Sequence, residues 1–95
     1  MTISNNTKHQ IRLVRAHPYA GMRILPFIGD YADQARGTIN AVFNDGAITN
    51  EEREELFEAI SRIEKRDDQT AYKFLDKFLY KQLHGEEAEP EKWWQ

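Results

Sequence analysis

Residues 44–66 read NDGAITNEEREELFEAISRIEKR and carry the clearest structural pattern in the chain. Thr49 and Glu52 have the spacing of a capping box, in which each side chain accepts a hydrogen bond from an otherwise unpaired backbone N–H group. Glutamates crowd the first turns and a Lys-Arg pair ends the segment, which suits the helix dipole at both ends. The segment therefore predicts a helix that opens at Thr49. Its buried face would comprise Leu56, Phe57, Ile60 and Ile63.

A second apolar series precedes this helix, again at steps of three and four residues. It comprises Met22, Leu25, Ile28, Ala32, Ala35, Ile39, Val42 and Phe43. Pro18 suits the first turn of such a helix, and Gly46 suits the left-handed position that follows the last turn. Because the period continues in phase past Pro26, that proline should kink the helix rather than end it. In the alternative, residues 19–25 form a separate turn and the long helix begins near Pro26.

Two further helices are predicted nearer the ends of the chain. The spacing of Thr7 and Gln10 also fits a capping box, so a first helix should begin near Thr7 and end before Pro18. The Asp-Asp pair at 67–68 should cap a last helix, which Gly85 should end. Its inward residues would be Tyr72, Leu75, Phe78, Leu79 and Leu83.

These patterns predict an all-α protein, a small bundle of three or four helices whose long second helix is kinked if it includes Pro26. The long helix and the glutamate-rich helix should form an αα-hairpin, with the last helix packed across it. Residues 1–85 would form a single helical domain, and residues 86–95 a short acidic tail. A chain of 95 residues has room for one domain with a thin core.

The composition excludes several kinds of chemistry. The chain has no cysteine, which excludes disulfides, thiolate zinc sites and thiol catalysis. No apolar stretch reaches the length of a signal peptide or of a bilayer-spanning helix, so we expect a cytoplasmic protein with no membrane partner. The sequence has no histidine pair at a ligand spacing, no glycine-rich phosphate loop and no nucleophile elbow. We therefore expect no enzyme activity, no catalytic residues and no cofactor.

The turn at residues 44–52 is similar to the second half of a calcium-binding EF-hand loop, with Gly46 at the sharp turn and Glu52 at the last position. Counting back from Glu52 places Ala41 and Phe43 where the first and third oxygen ligands belong. Neither side chain carries an oxygen, whereas calcium takes about six to eight oxygen ligands. The sequence therefore predicts a structural turn here and no metal site.

Charge is distributed unevenly along the chain. Residues 1–43 hold five Lys or Arg and two acids, whereas the rest of the chain holds eight Lys or Arg and fourteen acids. Lys8, Arg12 and Arg15 recur at helical spacing and form a basic row, with Arg23 near it. Most such rows are only a solvated helix face. The functional interpretation is that this row steers an acidic protein surface or contacts phosphates.

Nucleic acid is the alternative to a protein partner. In a helix-turn-helix arrangement, the helices flanking Gly46 would be the pair that meets DNA. The second of these helices opens with Glu51, Glu52, Glu54 and Glu55, which would place four carboxylates toward the groove. The basic first helix is therefore the only predicted face that suits nucleic acid.

Trp93 and Trp94 close the acidic tail, and tryptophan is both costly to expose and common in interface hot spots. The sequence leaves three placements open: docking on this domain, docking on a second copy or partner, or no fixed contact. Eleven aromatic residues exceed what a thin core can bury, which favours a homodimer. The candidate partner-binding residues are Lys8, Arg12, Arg15, Arg23, Trp93 and Trp94.

Three segments, IRLVRAH at 11–17, IGDYA at 28–32 and FNDGAI at 43–48, resemble the small derepression proteins of satellite phages, over roughly residues 8–63. Those proteins are antirepressors, which bind the repressor of a helper prophage and so release its lytic genes. The resemblance implies a protein-binding helical module without catalysis or cofactor. We therefore expect a phage or mobile-element regulator that covers the DNA-binding or oligomerisation face of a repressor, or that inhibits a host defence protein.

Overall fold

The computed structural model describes residues 3–85, and these residues form four α-helices. The helices are α1 (Asn5–Arg15), α2 (Ile28–Asn44), α3 (Asn50–Arg66) and α4 (Gln69–His84), with a short 3₁₀ turn at Leu25–Phe27. No strand occurs between residues 3 and 85, so the all-α prediction is confirmed. None of the helices in this described part is long and apolar enough to cross a bilayer.

The four helices form a closed bundle in which each helix packs against two neighbours. α2 packs against α1 and α3, while α4 packs against α3 and α1. Within residues 3–85, the backbones of the diagonal pairs, α1 with α3 and α2 with α4, do not approach each other closely, although Tyr31 of α2 and Tyr72 of α4 meet in the core. Asp45 at the end of α2 bonds Ser4 at the start of α1, and Asp67 at the end of α3 bonds Tyr19 just after α1. Neighbouring helices are therefore antiparallel.

The predicted αα-hairpin corresponds to α2 and α3, which pack against each other. The prediction that the last helix lies across this hairpin is wrong. α4 lies beside α3 and closes the bundle against α1. Only Asp67 and Asp68 separate α3 from α4, and so short a connection returns the second helix alongside the first.

The core draws apolar residues from all four helices. Its most deeply buried members include Ile11, Val14, Tyr19, Tyr31, Ile39, Val42, Ile60, Ile63, Leu75 and Leu79. The predicted inner faces of α3 and α4 are confirmed, although Phe57, Phe78 and Leu83 are only partly buried at the edge of the core.

The start of α1 differs from the prediction. The helix begins at Asn5, because Ser4 is the N-cap and its hydroxyl accepts from the N–H of Thr7 at 3.1 Å. Thr7 itself is a buried helical residue, and its hydroxyl donates to Asp45 at 2.7 Å. Ser4 and Thr7 both carry a hydroxyl that could cap the helix. Only the hydrogen bond of the Thr7 hydroxyl to the distant Asp45 distinguishes them.

The start of the long helix also differs from the first expectation, and the alternative is confirmed. Residues 16–22 form turns and bends, residues 25–27 form the short 3₁₀ turn, and α2 begins at Ile28, two residues after Pro26. Gly21 and Arg23 adopt left-handed backbone angles, with φ of 76° and 56°, which a right-handed helix does not contain. Met22 and Leu25, which were expected in the core, are therefore exposed. Their apolar spacing matched that of α2, although their backbone is not helical.

The local signals around α3 and α4 are confirmed. Thr49 Oγ1 accepts from the N–H of Glu52 at 3.1 Å, and Glu52 Oε1 accepts from the N–H of Thr49 at 2.8 Å. Gly46 follows α2 with a φ of 80°. Asp68 caps α4 by accepting from the N–H of Ala71 at 3.1 Å. These predictions succeed because each donor and its acceptor lie within three residues of each other.

Candidate functional site

Two surface features stand out on the bundle, and the first is basic. Arg15 joins α1 to α4, since its Nε donates to Asp76 Oδ1 at 3.0 Å and its guanidinium lies 5.1 Å from the centre of the Tyr80 ring. Helical spacing places two Lys/Arg of α1 in the same row as Arg15, and a lysine row runs along α4 beside Asp76. We call these residues the basic face: Lys8, Arg12, Arg15, Lys73, Lys77 and Lys81.

The basic face has almost no opposing charge in its own helices. Asp76 is the only acidic residue of α1 and α4, and it is 3% exposed. Burial raises the pKa of Asp76 above its usual value, although the ion pair with Arg15 opposes that shift. The carboxylate is therefore shielded inside the bundle, and the outer surface of this helix pair is positive.

Arg15 does not lie on a solvent-facing row as the sequence predicted. Its side chain is only 22% exposed, and it holds the buried carboxylate of Asp76. Helical spacing alone shows which residues share a row, whereas the side of the row that meets a neighbouring helix depends on packing. Arg12 is exposed and Lys8 partly so, and their role in partner binding stays a prediction.

The second feature is an exposed apolar segment. Residues 22–27 have the sequence MRILPF and lead from the turn that follows α1 to the start of α2. We call them the apolar loop. Met22 is 71% exposed, Leu25 is 58% exposed and Phe27 is also exposed. Large apolar side chains clustered on a surface are typical of sites where another molecule docks. Gly21, together with the prolines on both sides, was the sequence signal that this segment is not helical.

Arg23 belongs to the apolar loop and not to the basic face. Its Nε donates to Asp67 Oδ2 at 3.3 Å, and most of its side chain remains exposed. The sequence placed Arg23 near the basic row, but its contact is with the end of α3. Arg23 therefore adds a positive charge to an apolar surface, and its predicted role in partner binding stays a prediction.

Three buried tyrosines support the apolar loop from below. The rings of Tyr19, Tyr31 and Tyr72 lie 5.1 to 6.0 Å apart, centre to centre. The ring of His17 meets Tyr31 and Phe27 edge-on, at 5.7 and 6.3 Å. Aromatic pairs at these distances and tilts are attractive. The loop is thus joined to the buried tyrosine cluster through Phe27 and His17.

Hydrogen bonds tie this tyrosine cluster to the end of α3. The Tyr19 hydroxyl donates to Asp67, and Gln69 Nε2 donates to both of them, at 3.3 and 3.0 Å respectively. Burial and the neighbouring carboxylate raise the pKa of Tyr19 well above its usual value. Desolvation acts to raise the pKa of Asp67, but the hydrogen bonds from Tyr19 and Arg23 outweigh it and lower that pKa.

The hydroxyl of Tyr31 is the exception in this cluster, because it finds no hydrogen-bond partner within the described part of the chain. A buried hydroxyl without a partner costs about 1–3 kcal/mol. Tyr31→Phe should therefore raise the free energy of unfolding by about 1 kcal/mol in urea denaturation. Tyr19→Phe is the matched control: the Tyr19 hydroxyl donates to Asp67, so the same change should destabilise. A loss of stability in Tyr31→Phe would contradict the unpaired hydroxyl.

Asp45 lies in the turn that resembles half an EF-hand, and its carboxylate anchors α1. The backbone N–H of Ser4 and the hydroxyl of Thr7 donate to Asp45 Oδ2, at 2.9 and 2.7 Å, and lower the pKa of Asp45. No cluster of three His, Asp or Glu side chains is placed to hold a metal ion among residues 3–85. Sequence reasoning missed this anchor, because its partners lie 38 or more residues away.

A shallow cleft between α3 and α4 has a volume of about 280 Å³. Its floor is formed by Ala59, Ala71 and Phe74, and Glu55, Glu58, Arg62 and Thr70 form its rim. Pockets for small molecules usually measure about 300–1,000 Å³ and enclose most of the ligand. This cleft is smaller than such pockets and is bordered by exposed charged side chains, so it is a weaker candidate than the two surfaces above.

The predicted site residues are thus divided between separate places. Lys8, Arg12 and Arg15 lie on α1, Arg23 lies in the apolar loop, and Trp93 and Trp94 lie outside the described residues. The structure adds the lysines of α4 to the basic face and Met22, Leu25 and Phe27 to the apolar surface. No protein-family model, curated protein or solved structure matches this chain.

Proposed function

We propose that this chain is a small regulatory protein that binds another protein and covers part of its surface. The observation that carries the proposal is the apolar loop, which exposes Met22, Leu25 and Phe27 above a packed tyrosine cluster. A few large side chains supply most of the affinity in typical protein interfaces. Binding needs no catalytic group, and the proposal includes no reaction.

The chemistry of the apolar loop also indicates the kind of partner. Arg23 emerges among the apolar side chains, and the basic face lies on the neighbouring helices α1 and α4. A partner with an apolar pocket and an acidic border would complement both features. The basic face would mainly speed association, because long-range charge steers encounter, and the loop would mainly slow dissociation.

The more specific proposal is antirepression in the cytoplasm of a host cell, in a phage or mobile-element setting. The alternative specific proposal is that the chain inhibits a host defence protein. Support for both comes from the resemblance of the segments at 11–17, 28–32 and 43–48, which lie in α1, at the start of α2 and at the α2–α3 turn. The chain would act by occlusion, covering the DNA-binding or oligomerisation face of its target. A second copy of this chain is a further partner that the exposed loop would suit.

A nucleic acid is the second candidate partner, and the basic face favours it. Six Lys or Arg lie on two adjacent helices whose one acidic residue, Asp76, is buried and bound to Arg15. Nucleic-acid affinity falls steeply with salt, because each neutralised phosphate releases counterions. Affinity that changes little with salt would favour an apolar protein interface.

The test begins with capture of a partner from infected or lysogenic cells and mass spectrometry, followed by binding kinetics with the identified, purified partner. The variant Met22→Ser/Leu25→Ser should raise the dissociation rate by about thirtyfold, the equivalent of a 2 kcal/mol hot-spot loss. Leu13→Ser is the matched control, because Leu13 is exposed on α1, outside the loop. Equal effects of both variants would remove the loop from the interface, and a steep salt dependence would support nucleic acid instead.

A further inference from the structure

The net negative charge of this protein comes from one short segment. Residues 3–85 contain twelve Lys or Arg and twelve Asp or Glu, so their formal charges cancel. Residues 86–95 contain four glutamates and one lysine. The basic face on α1 and α4 therefore has no matching acidic surface within its own two helices, whereas the segment that follows α4 carries the excess.

This acidic segment starts next to the basic face. It follows Gly85, which lies four residues after Lys81 and ends α4 with a φ of 96°. A segment tethered this closely has an effective concentration in the millimolar range at a surface that it can reach. At any part of the basic face that they can reach, the glutamates of this segment thus have a higher effective concentration than a dilute acidic molecule in solution.

The lengths of the segment and of the basic face match. α4 has 16 residues, and at about 1.5 Å per residue it is about 24 Å long. Eight extended residues from Gly85 to Trp93 span about 26 Å at about 3.3 Å each. A segment that returned along α4 would bring its glutamates past Lys81 and Lys77 and its tryptophans to the start of the helix.

The start of α4 lies at the same end of the bundle as the apolar loop. Tyr72 of α4 touches Tyr19, the apolar loop begins three residues after Tyr19, and Met22, Leu25 and Phe27 of that loop are exposed. The tryptophans would therefore arrive at the end of the bundle where the apolar loop exposes its large side chains. The segment therefore matches this surface in charge, in length and in apolar character, in the direction from Lys81 to the start of α4.

We infer that the α1–α4 basic face is the docking surface for residues 86–95 of the same chain. The glutamates of the segment lie along the lysines of α4, and Trp93 and Trp94 contact the apolar surface at the far end. This inference concerns the isolated chain and stands whether or not the apolar loop binds a partner. If both proposals hold, the segment competes with the partner for the same surface.

Trp93 and Trp94 are the only tryptophans of the protein, so its tryptophan fluorescence reports on this segment alone. Acrylamide quenching of the full-length chain should be weaker than that of a synthetic peptide of residues 86–95. In Lys77→Glu/Lys81→Glu, quenching should rise toward the peptide value, with the docking equilibrium constant falling about tenfold on losing two exposed ion pairs. High salt should act in the same direction.

The matched control is Lys65→Glu/Arg66→Glu, which reverses the same number of charges at exposed positions on α3. This variant should keep the quenching of the unmodified chain, and circular dichroism should show that both variants keep their helices. Quenching of the unmodified chain equal to that of the peptide would overturn the inference. Equal responses of the two variants would also overturn it. Protection that grows with protein concentration would mean docking on a second copy, and protection only after DNA is added would assign the basic face to nucleic acid.

Discussion

Replacing Arg15 by Met should lower the free energy of unfolding by about 3–5 kcal/mol at neutral pH, the cost of leaving a buried charge without its partner. Asp76 is 3% exposed, and Arg15 is bound to both of its carboxylate oxygens, at 3.0 and 3.4 Å. Urea denaturation followed by circular dichroism measures the change. Arg12→Met is the control, because Arg12 is exposed on the same helix, and its effect should stay within about 0.5 kcal/mol.

The loss in Arg15→Met should depend on pH in a defined direction. Burial already raises the pKa of Asp76, and removal of the guanidinium raises it further. A carboxyl whose pKa is raised by folding destabilises the folded state above that pKa and ceases to do so as the pH falls through it. The stability difference between Arg15→Met and the unmodified protein should therefore shrink on acidification. The lowered pKa of Asp67 affects both proteins alike and cancels in the difference.

A double substitution separates loss of the ion pair from loss of packing. Arg15→Met/Asp76→Leu should recover most of the stability, because an apolar pair of similar volume often replaces a buried ion pair at little cost. If Arg15→Met lowered the free energy of unfolding no more than Arg12→Met, the assignment of a buried ion pair between Arg15 and Asp76 would be wrong. The role of the basic face in steering a partner is tested with Lys8→Glu/Arg12→Glu. Arg15 is left unchanged in this variant, because Arg15→Glu would place a second carboxylate beside Asp76.

Leu75→Ala should lower the free energy of unfolding by about 2–5 kcal/mol, through lost apolar burial and the cavity that remains. Leu75 is completely buried at the centre of α4, in a domain of fewer than 100 residues with a thin core. Chemical denaturation measures the loss, and it would be a large share of the total stability expected for such a domain.

The neighbouring residue provides the control for this prediction. Phe74 is 45% exposed on the outer side of the same helix, and Phe74→Ala removes a larger side chain. Its effect on unfolding should nevertheless be smaller, because nearly half of Phe74 is already in contact with water, whereas Leu75 is completely buried. A greater loss for Phe74→Ala than for Leu75→Ala would contradict the orientation of α4 in the bundle.

The sequence by itself determined where α3 and α4 lie. The capping box of Thr49 and Glu52, the cap at Asp68 and the glycines that follow α2 and α4 were all predicted correctly. Each of these signals acts between residues at most four positions apart, so the chain specifies it before any tertiary contact forms. The apolar period then identified the inner faces of the same helices.

The same local reasoning failed where packing decides between equivalent signals. Thr7 and Ser4 both suited the start of α1, and the distant Asp45 determines that Ser4 is the cap. Met22 and Leu25 continued the apolar period of α2 in phase, yet the left-handed backbone of Gly21 takes them out of the helix. A periodic pattern records spacing and does not record whether the backbone between the apolar residues is helical.

The charge pattern shows the difference most clearly. Along the sequence, basic residues predominate in the first half and acidic residues in the second. In the folded chain, α4 returns beside α1, so the lysines at the end of the described domain join the basic row at its start. Only tertiary structure could bring them together, because the contact between Arg15 and Asp76 joins residues 61 positions apart and depends on how all four helices close around one core.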